Sequence, residues 1–330
     1  MKLNATYIKI RDKWWGLPLF LPSLILPIFA HINTFAHISS GEVFLFYLPL
    51  ALMISMMMFF SWAALPGIAL GIFVRKYAEL GFYETLSLTA NFIIIIILCW
   101  GGYRVFTPRR NNVSHGDSRL ISQRLFWQIV FPATLFLILF QFAAFVGLLA
   151  SRENLVGVMP FNLGTLINYQ ALLVGNLIGV PLCYFIIRVV RNPFYLRSYY
   201  SQLKQQVDAK VTKKEFAIWL LALGALLLLL CMPLNEKSTI FSTNYTLSLL
   251  LPLMMWGAMR YGYKLISLLW AVVLMISIHS YQNYIPIYPG YTTQLTITSS
   301  SYLVFSFIVN YMAVLATRQR AVVRRIQRLA

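Results

Sequence analysis

Acidic side chains are scarce in this chain: 9 Asp and Glu stand among 330 residues. Glu42, Glu79, Glu84, Glu153 and Glu236 fall at the ends of apolar runs or in the connections on one side, and Asp12, Asp117, Asp208 and Glu215 in those on the other. None sits in the middle of an apolar run. An ion-coupled transporter or an intramembrane hydrolase needs a charged relay, a metal ligand or an activated nucleophile at membrane depth, and the sequence offers none. Histidine is as thinly spread. His31, His37 and His279 lie toward one face of the apolar runs, His115 lies in a polar connection, and no His-Glu-x-x-His pattern occurs, so interfacial hydrogen bonding is expected and no metal. The three cysteines, Cys99, Cys183 and Cys231, lack Cys-x-x-Cys spacing and lie in or beside apolar runs, which reads as small buried hydrophobes. No cofactor is expected, nor a catalytic site within these residues. There is no low-complexity segment and no large polar domain.

What the chain has in abundance is apolar surface. Hydrophobic residues make up 59%, charged residues 11%, and the mean hydropathy is +0.72, more than a water-soluble core could hide. A bilayer span needs about 20 mostly apolar residues. The runs that read as spans are Trp14 to Asn33, Val43 to Phe60, Trp62 to Val74, Glu84 to Tyr103, Leu125 to Leu149, Asn162 to Ile187, Glu215 to Pro233, Tyr245 to Met259, Leu265 to Tyr281 and Leu295 to Thr317. The expected fold is an all-α, polytopic transmembrane bundle of about ten spans. The second and third runs have no charge between them, so a broken or re-entrant pair, leaving eight crossings, is the alternative. The first run follows a basic start but carries Pro18, Pro22 and Pro27 and no clear cleavage site; it reads as a retained span.

The net charge of +18 does not mean a nucleic-acid partner. With the amino terminus placed in the cytoplasm, 23 of the 27 Lys and Arg fall on the cytoplasmic side; the others are Arg75, Lys76, Arg152 and Lys237. That asymmetry is the positive-inside rule, with both termini inside, and it predicts attraction to a bilayer carrying anionic lipids. The polar loop Thr107 to Gln123 reads as irregular. Between Arg191 and Lys214, Tyr195, Tyr199, Tyr200, Leu203 and Val207 recur at helical spacing among basic residues, which predicts a helix lying along the inner leaflet.

Three segments stand out. Ala63, Gly67 and Gly71 recur every four residues, a small-residue face for close helix packing. In the Asn162 to Ile187 run, Asn176 lies between Gly175 and Gly179, suited to bonding either a ligand or a neighbouring helix. In the segment Pro252 to Gly262, Trp256 and Arg260 share a face; Arg260 would either anchor to lipid phosphate or form an ion pair that tethers a signalling helix. Asn91, Gln141, Asn168 and His279 fall in the outer portions of their spans, with Asn176 deeper, and together they make a candidate ligand-binding set.

These segments, in this order, resemble the first class of membrane-associated sensor (MASE) domains, through Leu65-Pro-Gly-Ile68, Gly175-Asn-Leu-Ile-Gly179-Val-Pro181 and Pro252 through Gly262. Asn176 stands where the family pattern has an acid. The resemblance covers essentially the whole chain, and is nearer still to the amino-terminal half of enterobacterial membrane-bound cyclic-di-GMP phosphodiesterases. It implies a sensory or regulatory input module of the bacterial inner membrane. Such modules precede cytoplasmic GGDEF and EAL portions, which would follow Ala330, and hydrolysis would belong to that parent protein. The competing reading is a small-molecule transporter or channel. Residues 1–317 would be the sensor domain and 318–330 the linker. No Gly or Pro stops the last helix at the membrane, and Leu315, Val322 and Leu329 recur every seven residues with Ile326 between. That is a seam suited to a parallel homodimer; a basic stop-transfer segment is the alternative. The stimulus, a small molecule or a membrane protein, is not legible.

Overall fold

A computed structural model describes residues 13–34, 36–38, 43–106, 125–145, 163–192, 194–208, 211–231, 243–282 and 291–329. Among the described residues the fold is all-helical apart from a two-residue antiparallel pairing of β1 (His37–Ile38) with β2 (Val43–Phe44). The helices are α1 (Leu17–Thr34), α2 (Leu48–Phe60), α3 (Leu65–Leu80), α4 (Phe82–Phe106), α5 (Phe131–Phe145), α6 (Leu163–Arg191), α7 (Tyr195–Gln206), α8 (Lys213–Cys231), α9 (Thr243–Tyr261), α10 (Tyr263–Gln282) and α11 (Tyr291–Leu329). They form two compact units, Met1–Cys183 and Tyr184–Ala330, with the boundary inside α6. The loop Thr107 to Gln123, expected to be irregular, lies outside the described residues.

Among the described residues, six helical stretches are long and apolar enough to cross a membrane: Leu17–Thr34, Leu48–Leu80, Phe82–Val105, Leu163–Arg191, Lys213–Cys231 and Leu295–Arg324; Gln128–Leu139 and Tyr263–His279 are shorter apolar helices. This is coarser than the ten runs of the sequence. The expected second and third spans meet at Ser61, which has φ +52°, and a 3-10 turn at Ser61–Ala64 separates α2 from α3. Alone, these helices have 13 and 16 residues, short of the roughly 20 a crossing needs. The third run also continues beyond its expected end at Val74, because Arg75 and Lys76 both pair with Glu79 one turn on and support the last turn of α3.

In the first unit, α1 packs on α2 and α3. Pro22 has no N–H to offer the Pro18 carbonyl, and Gly67 lies against it: a Cβ there would come within 2.5 Å of both the Pro18 and Leu19 oxygens. Gly71 meets the next turn of α1 at Pro22. Helix α2 is apolar all round, and 11 of its 13 residues are buried, as a central core helix must be.

In the second unit, α11 packs on α9 and α10, and α8 packs on α9. Trp219 of α8 donates to the Leu253 carbonyl at 2.9 Å and lies flat against Gly257, where any Cβ would collide with the indole. Helix α11 has 39 residues, about 58 Å at 1.5 Å per residue, and runs unbroken from its apolar stretch into the basic end of the chain.

Candidate functional site: a junction at the base of the last helix

Helices end with carbonyls that have no partner in the next turn. In the second unit, two such ends face the same side of α11. Helix α7 finishes at Gln206, followed by Val207 and Asp208, and α9 finishes at Tyr261, followed by Gly262 with φ +83°. Arg320 of α11 donates to the Met259 and Arg260 carbonyls, each at 2.8 Å, and also to the Gln206 carbonyl. One turn on, Arg324 donates to the Val207 carbonyl at 3.1 Å and to that of Gln205. Guanidinium groups at helix C-termini satisfy orphan acceptors and oppose the negative end of the helix dipole. The planar fork of Arg can reach several acceptors at once, which an ammonium cannot.

The junction is tightened from the other side. The Asp208 N–H donates to the Arg260 carbonyl at 2.9 Å, and the Arg260 guanidinium donates to the Asp208 carboxylate at 3.2 Å, with Glu215 3.7 Å away. The Lys264 N–H donates to the Gln206 side chain at 3.1 Å, and the Tyr263 N–H to the Thr317 hydroxyl at 3.0 Å. Gly262 has a purpose here beyond its dihedral angle, because a Cβ would come within 2.8 Å of the Gln206 side chain. Tyr199, on the buried face of α7, donates its hydroxyl to the Lys264 carbonyl at 2.8 Å. Burial, helped by Tyr195 and Tyr263 nearby, raises its ionisation well above the ordinary tyrosine range, so it keeps that proton. Four polypeptide segments thus converge on the point where α11 leaves its apolar stretch. Such an arrangement can couple the position of one long helix to its neighbours; no cluster of His, Cys, Asp or Glu that could hold a metal ion occurs among the described residues.

Of the residues singled out in the sequence, Arg260 is at the centre of this junction. Trp256 packs edge-on to Tyr261, with ring centroids 6.0 Å apart. Along α11, Leu315 is half-buried, while Val322 and Ile326 are exposed at 51% and 61%; the side chain of Leu329 lies outside the described residues.

In the first unit the amides sort by what they touch. The extended chain before α2 is buried, and its N–H groups need partners. Phe44 N–H donates to the Asn168 side chain at 3.1 Å, Tyr47 N–H to the Ala171 carbonyl at 3.1 Å, and Leu48 N–H to the Asn33 side chain at 3.2 Å. Gly175 admits the Tyr47 backbone, with which any Cβ would collide, and Gly179 admits Ala51, 2.5 Å from where its Cβ would be. Asn176 is fully buried; its Nδ2 donates to the Ile129 carbonyl at 3.1 Å, and its Oδ1 has no partner among the described residues. Gln141 of α5 likewise has a buried, unpartnered Nε2. Asn91 is half-buried on α4. His279 is exposed on α10, in the second unit.

The sequence reading missed Arg320, Arg324, Asp208, Gln206 and Thr317. It counted the arginines as inner-side charge; the one signal that could have found them is their four-residue spacing on a helix with no stop.

Comparisons with known proteins bear on the same stretch. The MASE1 family model matches residues 15–320. The whole chain is 99% identical to 44% of the cyclic di-GMP phosphodiesterase PdeF of Escherichia coli strain K12. Over 305 residues it is 23% identical to the probable cyclic di-GMP phosphodiesterase PdeA of the same organism, 90% of this chain matching 40% of that protein. The chain therefore spans less than half the length of these curated relatives. No solved structure matches. With its family model spanning nearly the whole chain, this protein belongs to the MASE1 family.

Proposed function

We propose that the chain is the inner-membrane sensory input module of a cyclic-di-GMP phosphodiesterase, and that α11 is its output. The observation that carries this reading is the junction. Arg320 and Arg324 tie the last helix to the ends of α7 and α9, immediately before the point where a longer relative would continue into its remaining sequence. The names of both relatives support the identity of the output, and hydrolysis belongs to the remaining sequence of the parent protein.

In this reading both termini are cytoplasmic, with ten crossings or with eight and a re-entrant α2–α3 pair. Helix α7, with Phe194, Leu196 and Tyr200 exposed beside the exposed Arg197 and Lys204, lies on anionic lipid of the inner leaflet. Two copies pair along the exposed Val322 and Ile326 seam. The stimulus enters through the first unit, where Asn176 and Gln141 hold unpartnered amide atoms that a ligand or partner could satisfy.

The test is cyclic-di-GMP hydrolysis by the full-length phosphodiesterase in membrane vesicles, with and without Arg320→Gln and Arg324→Gln together. The reading predicts a changed rate with unchanged membrane insertion. Equal rates, or solute flux through vesicles carrying the chain alone, would overturn it.

A further inference from the structure

In the second unit, α10 and α11 are held together by two polar bonds whose partners lie one turn apart on α11 and two turns apart on α10. Trp270 Nε1 donates to the Ser306 hydroxyl at 2.9 Å, and the Ser277 and Tyr302 hydroxyls share a bond of 2.9 Å. On α11, Tyr302, Ser306 and Asn310 follow each other at steps of four, so each would occupy its neighbour's place if the helix moved by one turn. Asn310, next in line, keeps a buried Oδ1 without a partner. The same step governs the junction, where Arg320 and Arg324 are spaced by four and Arg328 follows by four more.

We propose that α11 has a second register in this fold, displaced four residues toward its own amino terminus, about 6 Å along its axis with about 40° of rotation. In that register Trp270 donates to the vacant Asn310 oxygen, and Ser306 comes opposite Ser277 with a side chain too short to replace the Tyr302 hydroxyl. Arg324 takes over the carbonyls of Gln206, Met259 and Arg260 from Arg320. Packed helices change state by such whole-turn steps because the interface is satisfied at discrete positions and not between them. The opposite displacement has no such support, since Ala316 would then stand where Arg320 does.

The slide has a cost, which makes the observed register the ground state. Ala321 would replace Thr317, leaving the Tyr263 N–H without its hydroxyl acceptor. Tyr302 would also have to fill the fully buried position of Thr298. The displacement is read from these two helices alone; only its effect on hydrolysis rests on the input-module reading.

The experiment uses the full-length phosphodiesterase in native membranes, with Cys99, Cys183 and Cys231 replaced by Ala and a short bifunctional methanethiosulfonate as the probe. The pair Ser277→Cys with Tyr302→Cys reports the observed register, and Ser277→Cys with Ser306→Cys the displaced one. Both pairs should crosslink within one chain, the second to a smaller yield, and Asn310→Leu, which removes the acceptor awaiting Trp270, should lower the second yield while leaving the first. Chains trapped by the two crosslinks should hydrolyse cyclic-di-GMP at different rates. The proposal is overturned if the second pair fails to crosslink, if the first fails, or if Asn310→Leu leaves the second yield unchanged. Equal rates in the two trapped forms would overturn the slide as the output motion, and would leave the input-module reading to stand or fall on insertions after Ala330.

Discussion

Arg320 donates to the main-chain carbonyl of Arg260 at 2.8 Å, so the last helix holds the end of α9 by its backbone, independently of the ion pair that the Arg260 side chain makes with Asp208. A carbonyl cannot be mutated away, and Arg320 is therefore the better handle on the junction. Arg320→Gln in the full-length phosphodiesterase is expected to change hydrolysis by about fivefold or more, the range of ordinary allosteric coupling. Arg320→Lys should restore only part, since a point charge cannot serve three carbonyls. Arg318→Gln, at an exposed neighbouring position, should match the parent. Vesicle-based hydrolysis assays at matched protein levels read all three.

The Arg260 side chain is expected to matter less. Its side chain is 36% exposed and that of its partner Asp208 31%, and ion pairs so open to water contribute about 0.2–1 kcal/mol. Arg260→Gln should lower the unfolding temperature in detergent only slightly, and the difference from the parent should vanish in high salt. A loss that persists at high salt would mean the guanidinium is held by something other than charge.

Two glycine substitutions should move stability in opposite directions. A Cβ at Gly175 collides with the Tyr47 backbone, which has no rotamer by which to yield, so Gly175→Ala should cost several kcal/mol through displaced packing. Gly101 lies inside α4 with nothing within 4 Å of its would-be Cβ, and Gly101→Ala should stabilise by about 0.5–1 kcal/mol through helix propensity. Thermal unfolding of the two variants beside the parent decides the matter.

Asn168→Leu should destabilise by about 1–3 kcal/mol, because it strands the buried Phe44 N–H. A merely ligand-contacting Asn168 would change binding and leave the unfolding temperature where it was.

How far the fold is legible in the sequence differs by element. The long apolar helices and α11 follow from uninterrupted runs, and α7 from the spacing of Tyr195, Tyr199 and Leu203 among basic residues. The α2–α3 break is legible as the alternative of a broken pair between the second and third runs, but not its form, because no local residue type demands the positive φ of Ser61. The buried strand before α2 is hidden for a similar reason: its N–H partners, Asn33, Ala36, Asn168 and Ala171, come from α1, its exit and α6. Of these only Asn168 stands out in the sequence, and there as a candidate ligand contact. At the junction, Arg260 can be picked out by its place in the Pro252 to Gly262 segment. Arg320 and Arg324 are marked only by their four-residue spacing on a helix with no stop, since their acceptors are backbone carbonyls, which no sequence pattern marks.

The central claim, that α11 carries a signal out of this module, is tested most directly by inserting residues after Ala330 in the full-length phosphodiesterase, beyond the arginine junction and so without disturbing it. Four added residues rotate the downstream portion of the phosphodiesterase relative to the proposed dimer seam, whereas seven nearly restore its phase. The account predicts that hydrolysis in membrane vesicles departs from the parent rate with four and returns close to it with seven; identical rates for the two insertions would contradict it.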